Sequence, residues 1–172
     1  MVLEATTQTI VREISADLET PISVYMKLRG GMAPSFLLES VEGGERIARY
    51  SFIGVQPRAQ YILRDTDIEI KDENGTSRSI PVGRTTQYEG DPTLFLQNEM
   101  SRFNFKPQTG VPRFIGGLVG YLGYESVRFF EPTLNTKMKR WSSSPVQVGA
   151  YRDHIPDGIF LLADTVIAFD HA

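Results

Sequence analysis

The dipeptide Asn74-Gly75 constrains this chain more than any other feature. Tight reversals between strands need positive φ, which glycine and asparagine adopt at little cost, so Asn-Gly between two β-prone runs marks a hairpin. The runs here are Asp67 to Lys71 and Thr76 to Ile80. A second strand pair lies upstream. Ser35-Phe36-Leu37-Leu38-Glu39-Ser40 is joined to the run from Arg46 to Gly54 through Val41-Glu42-Gly43-Gly44-Glu45. Arg58 to Arg64 reads as a further strand, and Gly158 to Asp170 as two short apolar strands around Ala163-Asp164-Thr165. Two helices interrupt this order. Thr20-Pro21 and Asp91-Pro92 each place a capping side chain before a proline at the first helical position. The first helix offers Ile22, Tyr25, Met26 and Leu28 as its buried stripe and stops at Gly30-Gly31. The second offers Leu94, Phe95, Met100 and Phe103. Residues 13–18 read as an extended lead-in, and 131–157 as an irregular connection rich in proline and serine. The element order argues an α+β fold, mostly antiparallel sheets with flanking helices.

Composition removes several function classes. A chain of 172 residues suits one domain with a real core. Its net charge of -3 leaves no basic footprint for nucleic acid. It has no cysteine, which excludes disulfides, thiolate metal sites and a cysteine nucleophile, and fits a cytoplasmic location. The first ten residues lack the basic and apolar regions of a secretory signal, and no apolar run approaches the roughly 20 residues of a membrane span. Asn74-Gly75-Thr76 spells a glycosylation acceptor but reads as the turn itself. The apolar run Val166 to Asp170 reads as a buried strand that stops two residues before the end of the sequence. This pattern is expected of a cut inside a longer protein, or of a terminal strand added to a sheet.

Few residues suggest chemistry. His154 and His171 sit in no metal-ligand spacing. There is neither a serine-nucleophile elbow nor a phosphate-binding loop. Gly116 to Gly123 is glycine-rich without a dinucleotide fingerprint, and close approach of another backbone accounts for it better than a ligand. Lys137, Lys139, Arg140 and Trp141 read as a solvated loop. The upstream strand pair differs. Strand alternation puts Leu38 and Ser40 on one face and Glu39 on the other; Ala48 and Tyr50 share a face, and Ile47, Arg49 and Ser51 the opposite one. A free amino acid needs a cation, an acceptor and an apolar slot, which Ser40, Arg49 and Tyr50 could supply. An edge ion pair between Glu39 and Arg49 explains the same residues, and the pattern leaves both readings open.

Five segments, in order along nearly the whole chain, resemble the N-terminal region of anthranilate synthase component I in the chorismate-utilising enzyme family. They are Leu18-Glu19-Thr20-Pro21-Ile22-Ser23-Val24-Tyr25, Phe36-Leu37-Leu38-Glu39-Ser40-Val41-Glu42, Arg49-Tyr50-Ser51-Phe52-Ile53-Gly54, Gly116 to Glu125, and Pro156-Asp157-Gly158 through Ala168-Phe169-Asp170-His171. The resemblance implies that residues 1–172 form a tryptophan-regulatory N-terminal region without the catalytic domain. The whole subunit of that family converts chorismate and ammonia to anthranilate and pyruvate with Mg²⁺. Its partner, a glutamine amidotransferase, supplies the ammonia.

By the same resemblance, Leu38, Glu39 and Ser40 form one wall of half a feedback site for L-tryptophan, and Ile47, Ala48, Arg49 and Tyr50 the other. The Mg²⁺ ligands and the chorismate contacts belong to the missing part, so the fragment alone is expected to be inactive. Its own catalytic C-terminal domain is the expected partner for its apolar face, and an uncapped sheet edge could instead pair two copies as a homodimer. Two alternatives stand beside this: the corresponding region of aminodeoxychorismate synthase component I, or a free-standing ligand-binding module without catalysis. Because Ser40 falls on the family's feedback serine, Ser40→Phe in the full-length subunit is expected to relieve tryptophan inhibition. Anthranilate formation measured against tryptophan concentration checks this, and an unchanged inhibition curve would sink the assignment.

Overall fold

The computed structural model describes residues 8–31, 33–39, 49–64, 67–103, 109–131, 133–134 and 155–171, with only the backbone of Glu125. The chain divides into two compact units. One comprises Met1–Ala59, Glu99–Val119 and Leu161–Ala172; the other comprises Gln60–Asn98 and Gly120–Phe160.

In the first unit, helix α1 (Pro21–Leu28) begins where the sequence predicts. Thr20 Oγ1 accepts the Ser23 N–H at 3.1 Å, and Ser23 Oγ accepts the Thr20 N–H at 2.9 Å, closing a capping box. A cap of this kind stabilises a helix end by about 1 kcal/mol. Ser23 Oγ also donates to Glu19, which pairs with Lys27 as well. The Lys27 bond first, then the Ser23 bond, holds the Glu19 carboxyl below its ordinary pKa. The expected stripe is corrected. Ile22, Met26 and Leu28 are exposed, and Pro21, Val24 and Tyr25 are the half-buried apolar positions. Two turns of helix can rest only a narrow face on the sheet, and a 3.0 Å hydrogen bond between the Tyr25 hydroxyl and Ser35 Oγ sets which one.

Strands β1 (Ser35–Leu38), β2 (Tyr50–Val55) and β8 (Ile167–Asp170) form a sheet in the order β1-β2-β8. Both pairings are antiparallel. Ser35 faces Val55 and Leu38 faces Phe52; Tyr50 faces Asp170 and Ile53 faces Ile167. Phe36 lies opposite Gly54, where a Cβ would come within 2.1 Å of the phenyl ring, so glycine leaves room for the ring. The rings of Phe36 and Phe52 both meet Phe114 edge-on, with centroids 6.4 and 5.2 Å away. Ile53 and Ser51 are buried. The last strand is not the buried one expected. Ile167 and Phe169 are half-covered while Ala168 and Asp170 are exposed, because β8 is an edge strand with one side open.

The second sheet has the order β5-β4-β3-β7-β6, from β3 (Ala59–Arg64), β4 (Asp67–Asp72), β5 (Ser77–Pro81), β6 (Gly117–Leu122) and β7 (Gly158–Ala163). In the second unit β4 and β5 form the predicted hairpin, with Lys71 opposite Ser77. The turn is longer than a two-residue loop. The Asp72 N–H donates to Thr76 O, Gly75 has φ 79°, and Asp72 Oδ1 accepts the N–H groups of Asn74 and Thr76 at 2.9 and 2.8 Å. The aspartate thus captures the turn amides and leaves the left-handed position to Gly75.

Ile68 and Ile70 of β4 are buried, as are Tyr61, Ile62 and Leu63 of β3. Helix α2 (Pro92–Ser101) contributes Phe95 and Leu96 to this unit's core rather than Leu94, which is exposed. The Phe95 ring lies 6.0 Å from Tyr61 and 5.5 Å from Tyr88. Burying a side chain of that size stabilises the fold by about 2–3 kcal/mol. Asp91 Oδ1 accepts the Thr93 N–H at 2.8 Å and so caps α2 as predicted. In the first unit, Met100 and Phe103 are only half-buried.

Backbone hydrogen bonds set the remaining strand directions. Arg58 N–H donates to Leu162 O and Asp157 N–H to Leu63 O, so β3 and β7 run antiparallel. Gly123 N–H donates to Asp157 O, while Gly116 lies against Ala163, so β6 and β7 do too. The 3-10 turn Tyr124–Ser126 and helix α3 (Val127–Phe130), which the sequence reading did not anticipate, are tied to Asp157. Ser126 Oγ donates to the Asp157 carbonyl at 2.8 Å, and Arg128 Nη2 pairs with the Asp157 carboxylate at 2.7 Å. Residues 135–154 of the expected connection, with Lys137, Lys139, Arg140, Trp141 and His154, lie outside the described residues.

The glycine-rich segment is a close-packing device. A Cβ on Gly116 would sit 2.7 Å from Ala163 O, and one on Gly120 would sit 1.9 Å from Ile159 O. Both obstacles are backbone, which cannot swing aside. Gly120→Ala is therefore expected to cost about 3 kcal/mol or more, since even ordinary overpacking costs about 1–3 kcal/mol. Gly83→Ala, with nothing within 4 Å of the new methyl, should stay within about 0.5 kcal/mol. Urea unfolding midpoints of the two variants check the contrast; equal midpoints would refute it.

Candidate functional site

The residues singled out by the sequence converge only in part. Leu38 ends β1 and Glu39 follows it; both are exposed. Arg49 precedes β2 and Tyr50 opens it. Ser40, Ile47 and Ala48 lie outside the described residues. Leu38 faces Phe52, two positions along the same strand from Tyr50, so the β1–β2 register brings the end of β1 close to the start of β2.

Arg49 does not pair with Glu39, as one reading of the pattern expected. Its Nε–H donates to Asp170 Oδ1 at 2.8 Å, and its Nη2–H to Asp170 Oδ2 at 2.5 Å. The β2–β8 register explains this partner. Asp170 lies directly across from Tyr50, one residue from Arg49. The Asp170 hydrogen bond, and then its charge, push the guanidinium pKa further above its ordinary value, so Arg49 is a permanent cation. The guanidinium carbon sits 5.0 Å from the centroid of the Tyr50 ring, a cation–π arrangement. The Tyr50 ring in turn lies 6.0 Å from Phe52.

His171 adds two restraints. Its N–H donates to Arg49 O at 2.9 Å, and its Nε2 shares a 2.8 Å hydrogen bond with Ser51 Oγ. Ser51 is buried, so this bond satisfies a hydroxyl that would otherwise be costly. The start of β2 and the end of β8 are thus clasped by two side-chain pairs and a backbone bond. The arrangement presents a fixed cation stacked on an aromatic ring, with an exposed leucine at the end of β1.

Sequence reasoning did not connect Asp170 and His171 with Arg49 and Ser51. The one signal available was a charged residue closing an otherwise apolar strand. Among the described residues, no three or more histidine, aspartate or glutamate side chains come together as a metal site. No helix among them is long and apolar enough to cross a membrane. In the second unit, an open depression of about 360 Å³ is lined by Arg64, Asp67, Glu69, Ser77, Arg78 and Ser79. One of its two carboxylates is engaged locally: Glu69 accepts from Ser77 Oγ at 2.9 Å and lies 3.4 Å from Lys71 Nζ.

No family model matches the chain. Among curated proteins, it is 37% identical over 161 residues to anthranilate synthase component 1 of Pseudomonas aeruginosa, covering 92% of this chain and 29% of that protein. It is 35% identical over 165 residues to the protein of the same name from Acinetobacter calcoaceticus, covering 94% and 30%. Against that of Acetivibrio thermocellus it is 33% identical over 162 residues, covering 94% and 28%. A solved structure, anthranilate synthase component I from Streptococcus pneumoniae TIGR4, superposes with a TM-score of 0.44 at 22% identity, over 95% of this chain and 30% of that one. The chain spans less than a third of the length of the curated relatives it matches. It is a relative of the anthranilate synthase component 1 proteins across nearly all of its own length and across less than a third of theirs.

Proposed function

We propose that this chain is the N-terminal, tryptophan-regulatory part of an anthranilate synthase large subunit, a cytoplasmic lyase of tryptophan biosynthesis. The observation that carries this reading is identity of 33–37% to proteins of that name over more than nine-tenths of the chain. The enzyme so assembled converts chorismate, with ammonia delivered from glutamine by an amidotransferase subunit, to anthranilate and pyruvate. The Mg²⁺ and the chorismate contacts reside outside this chain, and the fragment alone does not turn over.

The part played here is feedback inhibition. Arg49 and Tyr50, together with Leu38 and Glu39 and with Ser40, Ile47 and Ala48, form half of an L-tryptophan site. The clasped geometry supports this, since an amino acid with an indole side chain needs both a cation and an aromatic surface. Tryptophan inhibits by binding one arrangement of the subunit more tightly than the competent one. Coupling of this kind is on the order of 1–3 kcal/mol, or about 5–150-fold in affinity.

The test uses the full-length enzyme with its amidotransferase, given chorismate and glutamine. The expected product is anthranilate with release of pyruvate, and tryptophan is expected to slow its formation. A product that keeps the enolpyruvyl group would assign the chain to the aminodeoxychorismate branch. Absence of any chorismate turnover would favour a binding module without catalysis.

A further inference from the structure

We propose that Asp170 is a positioning residue for the ligand site: it holds the Arg49 guanidinium side-on, so that the other edge of that fork stays free to receive a ligand carboxylate. The inference rests on the tryptophan-site reading and deepens it.

The argument begins with donor geometry. A guanidinium has five N–H groups in one plane. Asp170 takes the Nε–H and one Nη2–H, both on the same side. Three donors remain, the pair on Nη1 and the second on Nη2, and two of them lie parallel along the adjacent edge. A second carboxylate can dock there without displacing the first. The Arg49 side chain is 47% exposed, so the pair with Asp170 does not bury the guanidinium.

A lone surface arginine samples many rotamers and must be ordered by each ligand it binds. Arg49 is ordered in advance. Asp170 fixes its position in the plane, and the Tyr50 ring 5.0 Å away supports its face. The His171 N–H bond to Arg49 O and the Ser51–His171 bond hold the backbone from which it springs. Asp170 itself sits at a register position of the sheet, opposite Tyr50, so its placement is a property of the fold.

The test measures tryptophan affinity in the full-length enzyme by calorimetry for the wild type, Asp170→Ala, Arg49→Ala and the double variant. Tryptophanamide, which has the same indole and amine but no carboxylate, is titrated in parallel. Asp170→Ala is expected to weaken tryptophan about tenfold, an ordinary size for losing pre-organisation, and to leave tryptophanamide within about twofold. The double variant is expected to bind no more weakly than Arg49→Ala, because Asp170 acts through Arg49. Asp170→Asn, which keeps the side-chain shape, is expected to fall between wild type and Asp170→Ala and guards against a simple folding defect. Unchanged tryptophan affinity, equal losses for both ligands, or additive losses in the double variant would each overturn the proposal. A wild-type enzyme that binds neither ligand would overturn the tryptophan-site reading itself.

Discussion

The pairing of β2 with β8 is the constraint on which the candidate site depends. It joins Tyr50–Ile53 to Ile167–Asp170 across the whole segment from Gly54 to Val166. Closing a loop of that length costs on the order of 4 kcal/mol in chain entropy. Four ladder positions, the buried Ile53, the Arg49–Asp170 pair and the Ser51–His171 bond offset it together. No single one of these suffices, because an ion pair exposed to this extent is screened by water. The site is consequently as much a product of sheet register as of the side chains that line it.

Register also explains the division of roles between neighbours. Arg49 could have turned to Glu39 across the β1–β2 pair, and a reading of that pair alone suggests it. The presence of β8 on the other flank supplies a carboxylate at a fixed position, and the guanidinium takes it. Glu39 is left exposed at the end of β1. The carboxylate expected across the β1–β2 pair is therefore not the one that governs the cation.

Local chemistry was legible in the sequence, and long-range chemistry was not. Thr20 before Pro21 and Asp91 before Pro92 announce helix starts because the groups they cap lie within three residues. Asn74-Gly75 announces a hairpin, although the sequence did not show that Asp72 would take the turn amides and lengthen the loop. Helix stripes were less legible. In α1 and α2 apolar residues lie on more than one face of the helix, and the sequence pointed to Leu94 where packing buries Leu96 instead. The glycines at 116 and 120 signalled a close approach but not the strand they approach. The Arg49–Asp170 contact spans 121 positions and had no local signature. What did reach across that distance was the ordered set of segments shared with a known family. The relatives match along nearly the whole chain without speaking to any single contact.

The place of β8 has a consequence for biosynthesis of the chain. Ribosomes add about 5–20 residues per second, so making the segment between β2 and β8 takes on the order of ten seconds. Throughout that interval β2 has β1 on one side and a row of unsatisfied amides and carbonyls on the other. A nascent chain in this state carries an adhesive edge beside Tyr50 and Phe52, and its natural protection is a strand not yet translated. Translation speed through this segment, and any chaperone that shields the open edge, therefore bear on how much of the protein reaches the paired state rather than joining another copy through the same groups.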